Sequence, residues 1–220
     1  VPQIRIVAKP YIWVIILKKC PYFLYFVLII KKNYHFIIRL CIAMNIVIDF
    51  LQYQKYLLIR QIKGAKTEIF DPVRRKYLIL QQEELVRQLV LQYLHYGCKI
   101  PFRQMRSEFG IKVNSLQKRC DIVIFDNQIQ PRLVIECKAN NISITQAVFD
   151  QVARYNLRLR VPFLMVTNGM TTYCCKVFLE TFDQDMTQNP LLMEEDNFEP
   201  HRYFEFLEKM PTFDELTAGY

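Results

Sequence analysis

Two apolar runs, Cys120–Phe125 (CDIVIF) and Leu133–Ala139 (LVIECKA), constrain this chain more than any other feature. Short runs rich in β-branched residues read as strands rather than helices. The second is nearly continuous in its apolar residues, which puts it in the middle of a sheet covered on both faces. Yet Asp121, Glu136 and Lys138 interrupt the two runs. A charge in a buried strand must be paired or must bind a metal. A fold built on these runs therefore has to bring those three side chains to partners.

The surrounding pattern is α/β. Thr67–Phe70 and Lys76–Leu80 are β-prone runs around the turn residues Asp71-Pro72, which predicts a β-hairpin. Gln81–Tyr96 carries Leu85, Leu89, Val90, Tyr93 and Leu94 at helical spacing and stops at Gly97. Arg103–Val113 reads as extended, and Asp126-Asn127 as a turn between the two central strands. Ser143-Ile-Thr-Gln146 fits a capping box opening a helix to about Leu159. Pro162–Thr167 and Tyr173–Leu179 read as further strands. Strand, strand, helix, strand implies a mixed central sheet with a crossover helix.

Charge divides the chain into three parts. Residues 1–43 hold seven Lys/Arg and no Asp or Glu, residues 44–180 hold 20 and 11, and residues 181–220 hold two and ten. The overall +8 is thus an N-terminal excess, a basic body of net +9 and an acidic end of net −8. The reading expects a foreign N-terminal extension over 1–43, a domain over 44–180 and an acidic C-terminal extension over 181–220. The first part is apolar and lysine-rich, but Lys18-Lys19 splits it below the ~18 apolar residues of a spanning helix. The expectation is that translation starts at Met44, with a membrane-surface anchor as the weaker alternative. The acidic end folds back over a basic cleft, recruits a partner or solubilises the chain.

Several chemistries are excluded. The seven cysteines form no CxxC or CxxxC, are odd in number and, apart from the adjacent Cys174-Cys175, are widely spaced, which fits reduced thiols in a cytoplasm and disfavours a zinc ribbon. Of the three histidines, His35 lies in the foreign N-terminal stretch, and His95 and His201 lack ligand-like neighbours. No GxxxxGK[ST] is present, so there is no ATP site of that type. What remains is carboxylate chemistry. Residues i and i+2 of a strand share a face, so Glu136 and Lys138 point together and Cys137 points away. Two carboxylates on adjacent strands, Asp121 and Glu136, suit one Mg²⁺, with Lys138 beside it to orient water or neutralise charge. That arrangement suits phosphodiester hydrolysis; a solvated strand end is the plain alternative. Gln151 and Tyr155 share a helical face. Of Glu83 and Glu84, one serves the helix dipole and the other, taken as Glu84, is a third acid near the metal.

The runs Thr67–Tyr77, Glu83–Gln88, Ile111–Asn114, Asp121–Asp126, Leu133–Ala139, Gln151–Tyr155 and Val166–Gly169 together resemble one family. They are similar to stand-alone proteins like the N-terminal nuclease domain of type I restriction enzyme R subunits, in the PD-(D/E)xK superfamily. The resemblance covers about residues 60–180 and implies a restriction-endonuclease-like core. It implies that Asp121, Glu136 and Lys138 are the D…ExK set, that Glu84 is the helix acid, and that Gln151 and Tyr155 are the QxxxY motif. Cys120 stands where the superfamily's name has Pro. No ATP-driven translocation carries over. The implied function is a Mg²⁺-dependent DNA endonuclease of a restriction or related defence system, with Mn²⁺ as a substitute. The rivals are a catalytically silent DNA-binding subunit and a structure-specific repair or recombination nuclease. Arg119, Arg154 and Arg158 are the expected phosphate contacts. Expected partners are DNA, other restriction-system subunits or a separate motor, and a second copy of the chain; a membrane is not expected.

Overall fold

A computed structural model describes residues 45–62, 64, 66–113, 116–188 and 203–217, all within one compact unit spanning 44–220. The expectations for residues 1–44, Asn114, residues 189–202, which include His201, and residues 218–220 lie outside the described residues.

A small antiparallel sheet comes first, in the order β1 (Ile59–Ile62), β2 (Lys66–Asp71), β3 (Lys76–Ile79). The expected hairpin is β2–β3, and β1 is an added strand. The buried Asp71 makes the turn: its Oδ1 accepts from the N–H groups of Val73 (2.9 Å) and Arg74 (2.8 Å). A short carboxylate held this way is turn chemistry that the sequence announces.

Helix α1 (Gln82–Gln92) follows, with Glu83 and Glu84 in its first turn and no side-chain cap at Gln81. It widens into a π-helical turn over Tyr93–Gly97. The central sheet has six strands: β4 (Met105–Val113), β5 (Leu116–Phe125), β6 (Pro131–Cys137), β7 (Phe163–Thr167), β8 (Thr172–Val177) and β9 (Phe204–Phe206). They lie in that order, and only β6 and β7 are parallel. Helix α2 (Gln146–Leu159) makes the crossover between them. This is the mixed sheet flanked by helices that the pattern implied.

Alternation along β6 sets the layers. Leu133, Ile135 and Cys137 face α1, packing with Val86, Leu89, Val90 and Met165. Val134 faces α2, packing with Val148, Val152, Leu164 and Val166. Glu136 takes the next place in the Val134 row. The charge is therefore carried to the α2 side at the end of the central strand.

Two expectations are corrected. The capping box does not form: α2 is capped by Thr145 in extended conformation without a side-chain cap bond, and Ser143 lies in the preceding loop. The acidic stretch is partly built into the domain rather than appended to it. Helix α3 (Leu179–Gln188) carries Asp183 to an ion pair with Arg160. Strand β9 adds an edge to β8, and Tyr203 is buried in the α2-side core. Helix α4 (Phe213–Thr217) buries Leu216 in the α1-side core, with Arg132 Nη2 donating to Glu215 O at 2.9 Å. Aromatic and aliphatic burial outweighs the local charge count at these points. Among the described residues, no helix is long and apolar enough to cross a membrane.

Candidate functional site

Asp121 lies on β5, Glu136 on β6, and Lys138 one residue past the end of β6. The β5–β6 hairpin pairs Ile122 with Ile135, which brings Asp121 and Glu136 to the same end of the sheet. Both are buried, at 9% and 4% exposure. Asp121 Oδ2 accepts from Cys137 N at 2.7 Å. Its Oδ1 accepts from Arg87 Nη1 of α1 at 2.9 Å. Glu136 Oε1 accepts from Lys138 Nζ at 2.6 Å and from Gln151 Nε2 of α2 at 2.7 Å. The same Gln151 amide lies 2.7 Å from Tyr155 Oη. Five of the sequence-predicted residues are thus assembled into one cluster from three elements.

Glu84 is placed differently from the expectation. It is buried and ion-paired with Arg87, and its Oε1 also accepts from Gln88 Nε2 at 2.9 Å. Both of its oxygens are used in this way, so it faces the guanidinium rather than an open ligand position. Arg87 also pairs with Glu108 of β4. Arg87 and Glu108 are the residues the sequence reading missed. Glu84 and Arg87 at i and i+3 were a readable helical pair, and Glu108 is the only acid in its extended run.

The loop after β7 locks the arrangement from below. Thr167 O accepts from Lys138 N at 2.8 Å. Asn168 Oδ1 accepts from Met170 N (3.0 Å) and Thr171 N (2.8 Å), and its Nδ2 donates to Ile142 O (2.9 Å). Gly169 has φ +83°, and a Cβ there would stand 3.3 Å from Val86 Cγ2 of α1. A glycine is required for the turn and for the close approach of α1. The Val166–Gly169 motif thereby joins the helix bearing Arg87 to the strand end bearing Lys138.

The electrostatics follow from burial. Desolvation pushes the Asp121 carboxyl up to about 6, against the opposing pull of the Cys137 amide and Arg87. Desolvation and then the Asp121 charge push Glu136 up to about 7, with Lys138 opposing. The exposed Glu83 adds a smaller upward push on both. Burial works against the Lys138 ammonium, but the Glu136 hydrogen bond and charge leave it raised. Burial raises Tyr155, with the Gln151 hydrogen bond opposing.

Among the described residues, no group of three or more His, Cys, Asp and Glu side chains is arranged to hold a metal ion. Asp121 and Glu136 alone still fit a hard divalent cation. They are two buried oxygen donors at one end of the sheet, each driven toward its neutral form by burial despite a cationic partner. The fit is to two carboxylates, without Glu84.

The expected phosphate contacts lie on β5 and α2, a strand and a helix that also carry members of the cluster. Arg119, two residues before Asp121, has a 73% exposed side chain and reaches Glu108 Oε2 at 3.4 Å. Arg158 is exposed and Arg154 half-buried on α2, at spacings from Gln151 and Tyr155 that share a helical face.

Residues 82–186 match the family model for the type I restriction enzyme R protein N terminus (HSDR_N), which bears out the resemblance read from the motifs. The matched segment runs from α1 into α3 and contains every residue of the cluster. No curated protein matches the chain.

Proposed function

We propose that the family match marks a nuclease of PD-(D/E)xK type, which hydrolyses DNA phosphodiester bonds with Mg²⁺ as part of a restriction system. The observation that carries this reading is the pair of buried carboxylates, Asp121 and Glu136, beside the Lys138 ammonium 2.6 Å from Glu136. Asp121 and Glu136 would hold the cation. A cation bound there supplies positive charge to the phosphoryl oxygens and acidifies the attacking water. Lys138 is within reach of the same position and holds the water or neutralises charge on the phosphoryl group. Gln151 orients Glu136 from above and is itself oriented by Tyr155. The water oxygen gives up a proton to solvent and forms the new bond to phosphorus while the bond to the leaving sugar oxygen breaks, and that oxygen takes up a proton from solvent. Arg119, Arg154 and Arg158 steer the backbone by charge and carry no sequence information.

A second reading, a nuclease-fold subunit that binds DNA without cutting it, is favoured by two observations. Arg87 already supplies a cation to Asp121, and among the described residues no group of three or more His, Cys, Asp and Glu is arranged to hold a metal ion. Plasmid nicking by the full chain in Mg²⁺, Mn²⁺ or EDTA separates the two. The nuclease reading expects metal-dependent nicking that falls by about 10³-fold in Lys138→Ala and Glu136→Gln. Plasmid bound but uncut in every metal would leave the second reading.

A further inference from the structure

We propose that Arg87 is a positioning residue for Asp121, and that Glu84 and Glu108 act on the site through it rather than as ligands. The inference rests on the nuclease reading and assigns roles within the same site. The Arg87 guanidinium is buried and joins three elements. It donates to Asp121 Oδ1 of β5 at 2.9 Å, pairs with Glu108 of β4, and pairs with Glu84 of its own helix. With Cys137 N on Oδ2, both Asp121 oxygens are held from fixed directions. The two bonds fix the carboxylate plane on the strand beside the one that carries Glu136. A planar fork with several donors can do this; an ammonium cannot span the same partners.

The backbone supplies an independent observation. Glu108 has φ 54° inside strand β4, a left-handed conformation for a residue with a full side chain. Its neighbours pair across to β5, Ser107 with Ile122 and Phe109 with Cys120, so Glu108 stands opposite Asp121. Strain of this kind persists where the surroundings require it. Here it delivers a carboxylate to the guanidinium that holds the opposite residue.

Calorimetric titration of the full chain with Mn²⁺ alone tests the assignment, beside thermal melts. Arg87→Lys keeps the charge and loses the fork, so Mn²⁺ affinity falls about tenfold or more. Glu108→Gly relieves the left-handed strain and removes the anchor, so affinity falls severalfold while the melting temperature holds or rises. A role confined to folding would move only the melting temperature. Glu84→Gln, which keeps one acceptor for Arg87, falls less than Arg87→Lys. Glu84→Gln losing binding as Asp121→Asn does, with Arg87→Lys unchanged, would overturn the proposal and restore Glu84 as a ligand. Should wild-type take up no Mn²⁺, the metal reading fails by itself. The proposal is then decided in metal-free protein by the Asp121 carboxyl ¹³C resonance. A shift in both Arg87→Lys and Glu108→Gly supports it, and no shift in either overturns it.

Discussion

Asp121 and Asp126 stand at the two ends of one apolar run on β5, and both are buried. Asp126 Oδ1 accepts from the backbone N–H groups of Gln128 and Gln130, each at 2.8 Å. Its charge is met by fixed amides of its own turn. Asp121 has one amide, one guanidinium from another element, and Glu136 across the hairpin. The first acid makes structure and the second is held against its own preference. Burial with local amide partners is what a turn needs; burial opposite a second carboxylate is an arrangement that stability alone would not keep.

Exchanging the two positions gives the largest contrast. Asp121→Asn removes one of two repelling charges, so the melting temperature should change little or rise. Mn²⁺ binding should be lost, and nicking should fall by about 10³-fold or more. Asp126→Ala should do the reverse. Two turn amides lose their acceptor, at a cost of about 1–3 kcal/mol, while affinity for Mn²⁺ and cleavage per folded molecule stay as in wild-type. Melts and calorimetry on both variants check this. A loss of metal affinity in Asp126→Ala matching that in Asp121→Asn would erase the distinction.

The same contrast has a pH signature. Folded-state pKa values raised to about 6 and about 7 mean that the pair contributes stability at low pH, fully present below the ordinary carboxylate values. That contribution is lost as pH rises through 6 to 7. The metal-free protein should therefore melt lower at pH 8 than at pH 5, by on the order of 5 °C. Mg²⁺ at pH 8 should recover part of the fall, because ionised carboxylates bind it. The double variant Asp121→Asn, Glu136→Gln subtracts every other titrating group. An equal slope in that variant would mean that the pair is not the source.

Much of this was readable because its causes are local. Strands β5 to β8 and both long helices follow from periods of two and of 3.6 within a few residues. Gln151 and Tyr155 meet Glu136 because helical spacing fixes their common face. What escaped depends on distant sequence. Arg87 meets Glu108 and Asp121 across separations of 21 and 34 residues, which no local pattern encodes. Strand β1 (IRQI) is largely exposed and becomes a strand only by pairing with β2. Tyr203 and Leu216 sit among acidic residues, and their burial is set by β8 and the α1-side core. Ser143 looked like a cap because its spacing to Gln146 was right, but the chain stays extended through Thr145.

The smallest effect sharpens the contrast between held and unheld charge on the surface. Arg158 is exposed on α2, while Arg119 has Glu108 Oε2 at 3.4 Å. A phosphate contact made by either releases counterions, so each contributes to the salt dependence of DNA binding. Arg158→Ala should lower the slope of log affinity against log salt by about 1. Arg119→Ala should lower it by less, because its charge is already partly met by Glu108 and the exchange for a phosphate releases fewer ions. Anisotropy titrations of a short duplex across salt read both slopes. Melting temperatures should stay within about 1 °C of wild-type, since exposed pairs add little to stability. Equal slopes in wild-type and both variants would take Arg119 and Arg158 out of the interface.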